Sequence, residues 1–228
     1  MVLSAALGGL NAAEVASRFI DVHGVKFHYL SAGHGSPLVP LHGYAESSDM
    51  WKAAIPALAE RGTIPSRRDE AGVEGRFPGV AGWEGVYNNP VIWHFRFNGP
   101  TPEALVRGRE RVYFEHYWND FAADQRRSLS EAQRQMYTAL YARPGRMRAG
   151  WAYFISFPKA ATDFEAFARV KLPMPVLAIG GDKGNGDALA RQTKLVANDV
   201  TVIVLKDTGH WLMEERPSET IRALLKLL

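Results

Sequence analysis

Hydrophobic and polar positions fall into three textures along the chain. Arg18–Val22 and Lys26–Ser31 each read as a strand, joined by a tight turn at His23-Gly24. Pro37–Leu41 is a short apolar run ending in His42-Gly43, the pattern of a strand buried on both faces of a mostly parallel sheet. From Asp49, the run MWKAAIPALAERG sets Trp51, Ile55, Leu58 and Ala59 on one helical stripe, with Ser47 and Ser48 as caps before it and Gly62 as its stop. A buried strand is due next, but only Thr63-Ile64 is apolar before Pro65. Residues 65–82, PSRRDEAGVEGRFPGVAG, hold no period of either kind and read as loop.

From Trp83 to Phe157 the pattern turns helical, and this stretch holds 16 of the 25 aromatic residues, so it reads as a self-contained cap inserted between sheet elements. Thr101-Pro102-Glu103 predicts a capped helix running to about Phe121. Ser130 and Gln133 make a capping box for a second helix ending at Pro144-Gly145, and a third covers Arg146–Ser156 and stops at Pro158. The last third alternates again: strand Pro175–Ile179, helix Ala188–Ala197, strand Val200–Leu205 and helix Pro217–Leu228. Right-handed crossovers place both strands in one parallel sheet. The expected division is 1–17 as a disordered segment or leader, 18–82 and 171–228 as two parts of one α/β core, and 83–170 as the cap.

Composition narrows the chemistry. The absence of cysteine excludes disulfides, thiolate metal sites and a cysteine nucleophile. Lys and Arg number 27 against 24 Asp and Glu, a net charge of +3, and the longest basic runs are Arg67-Arg68 and Arg126-Arg127, too short for a nucleic-acid stripe. No apolar run reaches the roughly 20 residues that span a bilayer. The first nineteen residues are small-residue-rich and lack a basic start, as in a frayed terminus or the tail of a clipped secretion signal. Cytoplasmic residence is the expectation in the first case, periplasmic or secreted in the second.

Two loops carry candidate chemistry. Thr208-Gly209-His210-Trp211 sets a histidine just past a buried parallel strand, where sites in open α/β sheets lie and where an imidazole can act as general base. His42-Gly43-Tyr44 makes a sharp turn whose freed Tyr44 N–H can stabilise an oxyanion. His116, in Glu115-His116-Tyr117, reads as a helix-surface or packing residue.

The order strand-HGYAESSDMW, aromatic cap, strand-GGDKG, strand-TGHW resembles the α/β-hydrolases, and the cap run NNPVIWHFRFNGPTPEALVRGRERVYFEHYWNDF is similar to bacterial epoxide hydrolases of that superfamily. The resemblance covers about residues 18–64 and 77–228. It departs from the family at HGYA, where proline usually follows the aromatic residue. In that family an elbow aspartate attacks an epoxide carbon to give an ester, cap donors protonate the opening oxygen, and a histidine oriented by an acid activates the water that cleaves the ester. The resemblance implies His210 as that base, Asp182 or Asp187 as the orienting acid, His94 and Tyr153 as cap donors, and His42, Gly43, Tyr44 and Trp93 around the oxyanion and substrate. It implies a small apolar substrate, no cofactor and no metal, and no nucleic-acid or membrane partner. A dehalogenase would also use an elbow aspartate, with Trp93 and His94 as halide donors. A serine esterase is disfavoured because no serine sits in an elbow.

The elbow itself, G-x-S-x-G or G-x-D-x-G, is expected after the first helix and is missing between Gly62 and Gly82. Gly180-Gly181-Asp182-Lys183-Gly184 fits the pattern formally but occupies the family's late acid loop. A β-α unit takes about 30 residues, so roughly two units are absent, and the charged run 65–76 reads as a junction. The expected fold class is an incomplete α/β-hydrolase fold with an inserted helical cap. In it, 37–41 pairs directly with 175–179, or else two half-sheets expose apolar edges and depend on a second copy, a homodimer. Impaired catalysis follows from the same gap, and the alternative is an inactive protein that binds apolar ligands.

Overall fold

A computed structural model describes residues 14–34, 38–60, 71–73, 77–80 and 82–227. The chain opens with an antiparallel hairpin, β1 (Ala16–Val22) and β2 (Val25–Ser31), in the register Ile20↔Phe27 and Val22↔Val25. His23 and Gly24 both adopt positive φ, 53° and 79°, the turn that matches strand twist in a two-residue hairpin. The strand therefore begins inside the segment assigned to a leader, and residues 1–13 lie outside the described part. A 3-10 helix, Ser48–Ala53, is capped by Ser47, whose hydroxyl accepts the Asp49 N–H, and α1 (Ile55–Glu60) follows. The Gly62 stop lies outside the described residues.

Among the described residues the parallel sheet has three strands in the order β3 (Ala71–Val73), β4 (Leu172–Gly181), β5 (Ala197–Leu205). This corrects two expectations. The segment read as loop supplies a strand, with Ala71 opposite Val176 and Val73 opposite Ala178. The expected strand at 37–41 does not form over 38–41, and Leu41 is 81% exposed. Backbone pairing explains the exchange. The Ala-Gly-Val stretch carries no proline and needs no hydrophobic period to satisfy the edge of β4. The hairpin forms a separate two-stranded sheet, and Phe19, Ile20, Phe27 and Val39 are exposed, the two half-sheets with apolar edges that the gap implies.

Between the sheet elements lie α2 (Trp83–Tyr87), a 3-10 turn at Pro90–Phe95, α3 (Pro100–Val106), α4 (Glu110–Asp120), α5 (Glu131–Tyr141), α6 (Arg146–Ile155) and α7 (Phe157–Phe167). The single helix expected over 101–121 is two, because Gly108 takes φ 76° and its N–H turns to Glu110. Gly99, not Thr101, stands at the N-cap, with Pro100 opening the helix. The helix read over Arg146–Ser156 ends at Ile155 with Ser156 as its C-cap, but Pro158 then lies in the first turn of α7, where its missing N–H has no partner to lose. The Ser130–Gln133 capping box forms as read. Then β4 leads into α8 (Gly186–Val196) and β5, and α9 (Leu212–Glu215) and α10 (Pro217–Leu227) close the chain.

The main core sits in the cap rather than on the sheet. Tyr113, Phe114, Tyr117 and Trp118 recur at i, i+1, i+4, i+5 on α4 and bury one stripe against Tyr137, Trp151, Phe154 and Trp211. Leu177, Ile179, Leu205, Leu212 and Ala223 form a smaller cluster between the sheet and the last helices. Buried Arg134 ties α5 to α4, donating to Glu115 at 3.0 Å, to Asn119 at 2.9 Å and to the Leu129 carbonyl at 2.9 Å, with its guanidinium over the Trp118 ring. Among the described residues no helix is long and apolar enough to cross a membrane.

This distribution sets the cost of core truncation. Trp118 is fully buried and its indole donates to the Ala45 carbonyl at 3.2 Å, so Trp118→Ala is expected to cost about 3–5 kcal/mol. Phe27→Ala on the exposed hairpin is expected to cost about 1 kcal/mol or less. Urea denaturation of the two variants checks the contrast.

Candidate functional site

The C-terminal ends of β4 and β5 bring two loops into backbone contact. A Cβ on Gly181 would stand 2.0 Å from the Thr208 carbonyl oxygen, and one on Gly180 would stand 2.6 Å from Gly186 Cα, so both positions need glycine. Asp182 accepts the Thr208 N–H at 3.1 Å, and this bond from Thr208 holds its carboxyl below the usual range. Asp182 thus shapes the loop that carries His210 through that loop's backbone. Asp187, on the first turn of α8, is exposed.

Glu215 joins this loop to the cap. Its buried carboxylate accepts the Gly209 N–H at 3.1 Å, the Trp211 N–H at 3.3 Å and the Ala123 N–H at 2.9 Å. His210 N–H donates to the Phe121 carbonyl at 2.8 Å, and a Cβ on Gly209 would stand 2.4 Å from that same oxygen. Base loop and cap turn therefore meet backbone to backbone, and the His210 imidazole faces the rings of Phe121 and Trp211.

Above it, the 3-10 turn presents His94, 6% exposed. Its ring lies edge-on to Tyr117 at 4.7 Å and near Phe154 at 5.3 Å and Phe121 at 5.9 Å. Burial lowers the His94 pKa to about 3, with the fields of His116 and His210 acting in the same direction, so the imidazole is neutral at ordinary pH. Its Nδ1 is buried without a protein hydrogen-bond partner. Trp93, its neighbour, lies against Phe97 and Tyr113 and donates to His116.

Tyr44 enters from the opposite side. The turn places Ala45 at φ 68°, and the Tyr44 side chain runs into the cap, its ring 4.6 Å from Phe154. Among the described residues its N–H donates to no backbone carbonyl, as an oxyanion donor requires. Gly43 and His42 are exposed, with His42 Nδ1 2.8 Å from the Gly43 carbonyl. The Tyr44, Tyr117 and Trp151 donors all converge on the Tyr113 hydroxyl, at 3.1, 2.9 and 2.9 Å. A hydroxyl oxygen accepts only two bonds, and the indole can only donate. Tyr113 must therefore donate to Tyr44 or Tyr117, and that partner keeps a phenol hydrogen not used inside the cluster. Burial raises the pKa of all three phenols, so they are protonated.

The structure thus gathers His210, His94, Trp93 and Tyr44 along one line of aromatic rings. It leaves Tyr153 on the outer face, 61% exposed, with Phe154 taking the inward position one residue on. A helix cannot turn both neighbours inward, and Phe154 has the aromatic surroundings. Glu215, Tyr113, Tyr117 and the His116–Asp120 pair were missed in the sequence. The last had a legible signal, a histidine and an aspartate four apart on a predicted helix. Among the described residues no group of three or more His, Asp or Glu could hold a metal ion.

Comparisons with known proteins bear on the fold. No family model matches the chain. The wild-type Cfl2 structure from Burkholderia cenocepacia is 24% identical, with a TM-score of 0.81, covering 93% of this chain and 95% of that one. The ligand-free epoxide hydrolase CorEH is 23% identical, with a TM-score of 0.79, covering 94% and 98%. The fold is an incomplete α/β-hydrolase fold. In sequence, this α/β-hydrolase-like chain is 26% identical to a soluble epoxide hydrolase from Corynebacterium sp. (strain C12) over 278 residues, covering 93% of this chain and 97% of that one. That alignment runs 50 positions past the 228 residues present here, so at least 50 positions of the relative have no counterpart in this chain.

Two outcomes test the site's construction. Glu215→Ala strips the acceptor from three backbone N–H groups and is expected to cost at least about 3 kcal/mol in urea melts. At His94, the unfolded chain takes up a proton near the ordinary 6.5 and the folded chain only near 3. The unfolded state binds more protons between those values, so stability falls as pH drops from 6.5 toward 3. His94→Phe is expected to flatten that loss in melts compared between about pH 7 and pH 4.

Proposed function

We propose that this chain is an epoxide-hydrolase-type α/β-hydrolase that retains the base, the cap donor and the oxyanion turn but not the carboxylate elbow. On this reading it binds small apolar epoxides and diols beneath the cap and opens epoxides slowly. The observation that carries it is the convergence of His94 and His210 on Phe121, a neutral cap imidazole and the histidine that follows β5 meeting the same ring. The likeness to epoxide hydrolases and the 50 or more unmatched positions support the same reading.

The chemistry available to these residues is direct hydration. His210 takes a proton from water, the water oxygen bonds to an epoxide carbon, and the carbon–oxygen bond of the ring breaks. The oxygen released accepts a hydrogen bond from His94, with a phenol of the Tyr44–Tyr113–Tyr117 cluster as second donor in the part implied for Tyr153, and takes up the proton to give a vicinal diol. On this reading the Tyr44 N–H serves as the oxyanion donor and Trp93 lies beside the substrate. No ester forms on this route, and the rate falls accordingly, because members of such a constellation act as a unit. Dehalogenation, which also needs the elbow carboxylate, is disfavoured on the same ground.

Styrene oxide in ¹⁸O-labelled water tests the reading. Diol formation is expected to run about 10⁴-fold or more below that of an intact relative, to put the label in the diol at the first turnover, and to vanish in His210→Ala. A trapped ester on the protein with robust turnover would overturn it, as would a failure of styrene glycol to raise the melting temperature.

A further inference from the structure

Behind His94 runs a chain of hydrogen bonds that the reaction above does not use. Trp93 Nε1–H donates to His116 Nε2 at 2.9 Å, and His116 Nδ1 lies 2.8 Å from Asp120 Oδ2. An indole nitrogen only donates, so His116 Nε2 must hold a lone pair. Its proton therefore sits on Nδ1 and is given to Asp120. His116 and Asp120 are one turn apart on α4, which sets their spacing, and the Trp93 indole lies over the imidazole with ring centres 5.2 Å apart. The rings of Tyr117 and Phe121 also lie against His116.

The turn that carries Trp93 and His94 has weak support of its own. It is only six residues long, and Ile92 inside it is non-helical, at φ −102° and ψ 40°. Trp93 and His94 are consecutive, with their rings 6.3 Å apart at 85°. Fixing the indole on α4 therefore also fixes the direction of the neighbouring imidazole, which lies against Tyr117 and Phe154.

We infer that Asp120, His116 and Trp93 form a positioning relay: Asp120 sets the His116 tautomer, His116 captures the Trp93 indole, and the captured indole aims His94 at the ligand. The last step rests on the reading of His94 as cap donor. A mere helix-stabilising pair on α4 would leave Trp93 and His94 indifferent to the chemistry at position 116.

Two substitutions in the full chain separate these. His116→Phe keeps a ring and removes both hydrogen bonds. His116→Gln keeps an oxygen for the indole and an amide for Asp120. The readouts are the Trp93 indole N–H signal, assigned with Trp93→Phe, the ¹⁵N shifts of the His94 ring, and the affinity for styrene glycol. His116→Phe is expected to move the indole and His94 signals and to weaken glycol binding about tenfold, the worth of one well-made hydrogen bond. His116→Gln restores them. Unchanged signals in His116→Phe, or a His116→Gln as impaired as His116→Phe, overturn the relay. If the parent chain does not bind glycol, the functional reading fails, and the Trp93 and His94 signals alone decide the relay.

Discussion

The organisation of this protein turns on one buried carboxylate. Glu215 receives backbone N–H groups from two stretches of chain about ninety residues apart, the cap turn at Ala123 and the base loop at Gly209 and Trp211. An acceptor shared in this way does what packing alone does poorly, which is to set two backbones in one register. The Phe121 carbonyl completes the clasp by taking the His210 N–H, and Gly209 permits it, since any side chain there would hold the segments apart. The imidazoles of His94 and His210 both lie against the Phe121 ring, whose backbone the clasp fixes.

The distribution of buried surface follows from what the sheet lacks. A hydrolase sheet normally shields its hairpin and its first buried strand behind central strands. Here, among the described residues, the parallel part has three strands and the hairpin stands apart, so residues patterned for burial, Phe19, Ile20, Phe27 and Leu41 among them, meet solvent. The cap compensates by being a core in its own right, with Phe114, Trp118, Tyr137 and Trp151 closed on one another. Order in this molecule is therefore centred on the lid and its attachment to β5, the reverse of the usual dependence of a lid on its sheet.

Legibility in the sequence tracked the range of the interactions. The hairpin, the Ser130 capping box, β4, β5 and the closing helix depend on local period and capping, and all were readable. The break at Gly108 and the start of α7 at Pro158 were local too, but each residue permits two outcomes and tertiary packing chose between them. The strand at Ala71–Val73 was illegible because it has no hydrophobic period and owes its existence to the open edge of β4. At the site, His210 and the Tyr44 turn stood out because each follows an apolar run. Glu215 did not, because its partners are backbone groups that no side-chain pattern announces, and the choice of Phe154 over Tyr153 needed the phase of α6 against its neighbours.

That three-residue strand has a wider meaning. Lateral cohesion of a sheet is carried by peptide groups, which every residue except proline possesses in full, so the slot beside a strand is indifferent to which amino acids fill it. An open edge such as that of β4 can accordingly be paired by whatever proline-free polypeptide lies beside it. An architecture is thus more forgiving than a chemistry, since a sheet edge needs only amides, whereas a reactive site needs one particular side chain in one particular place.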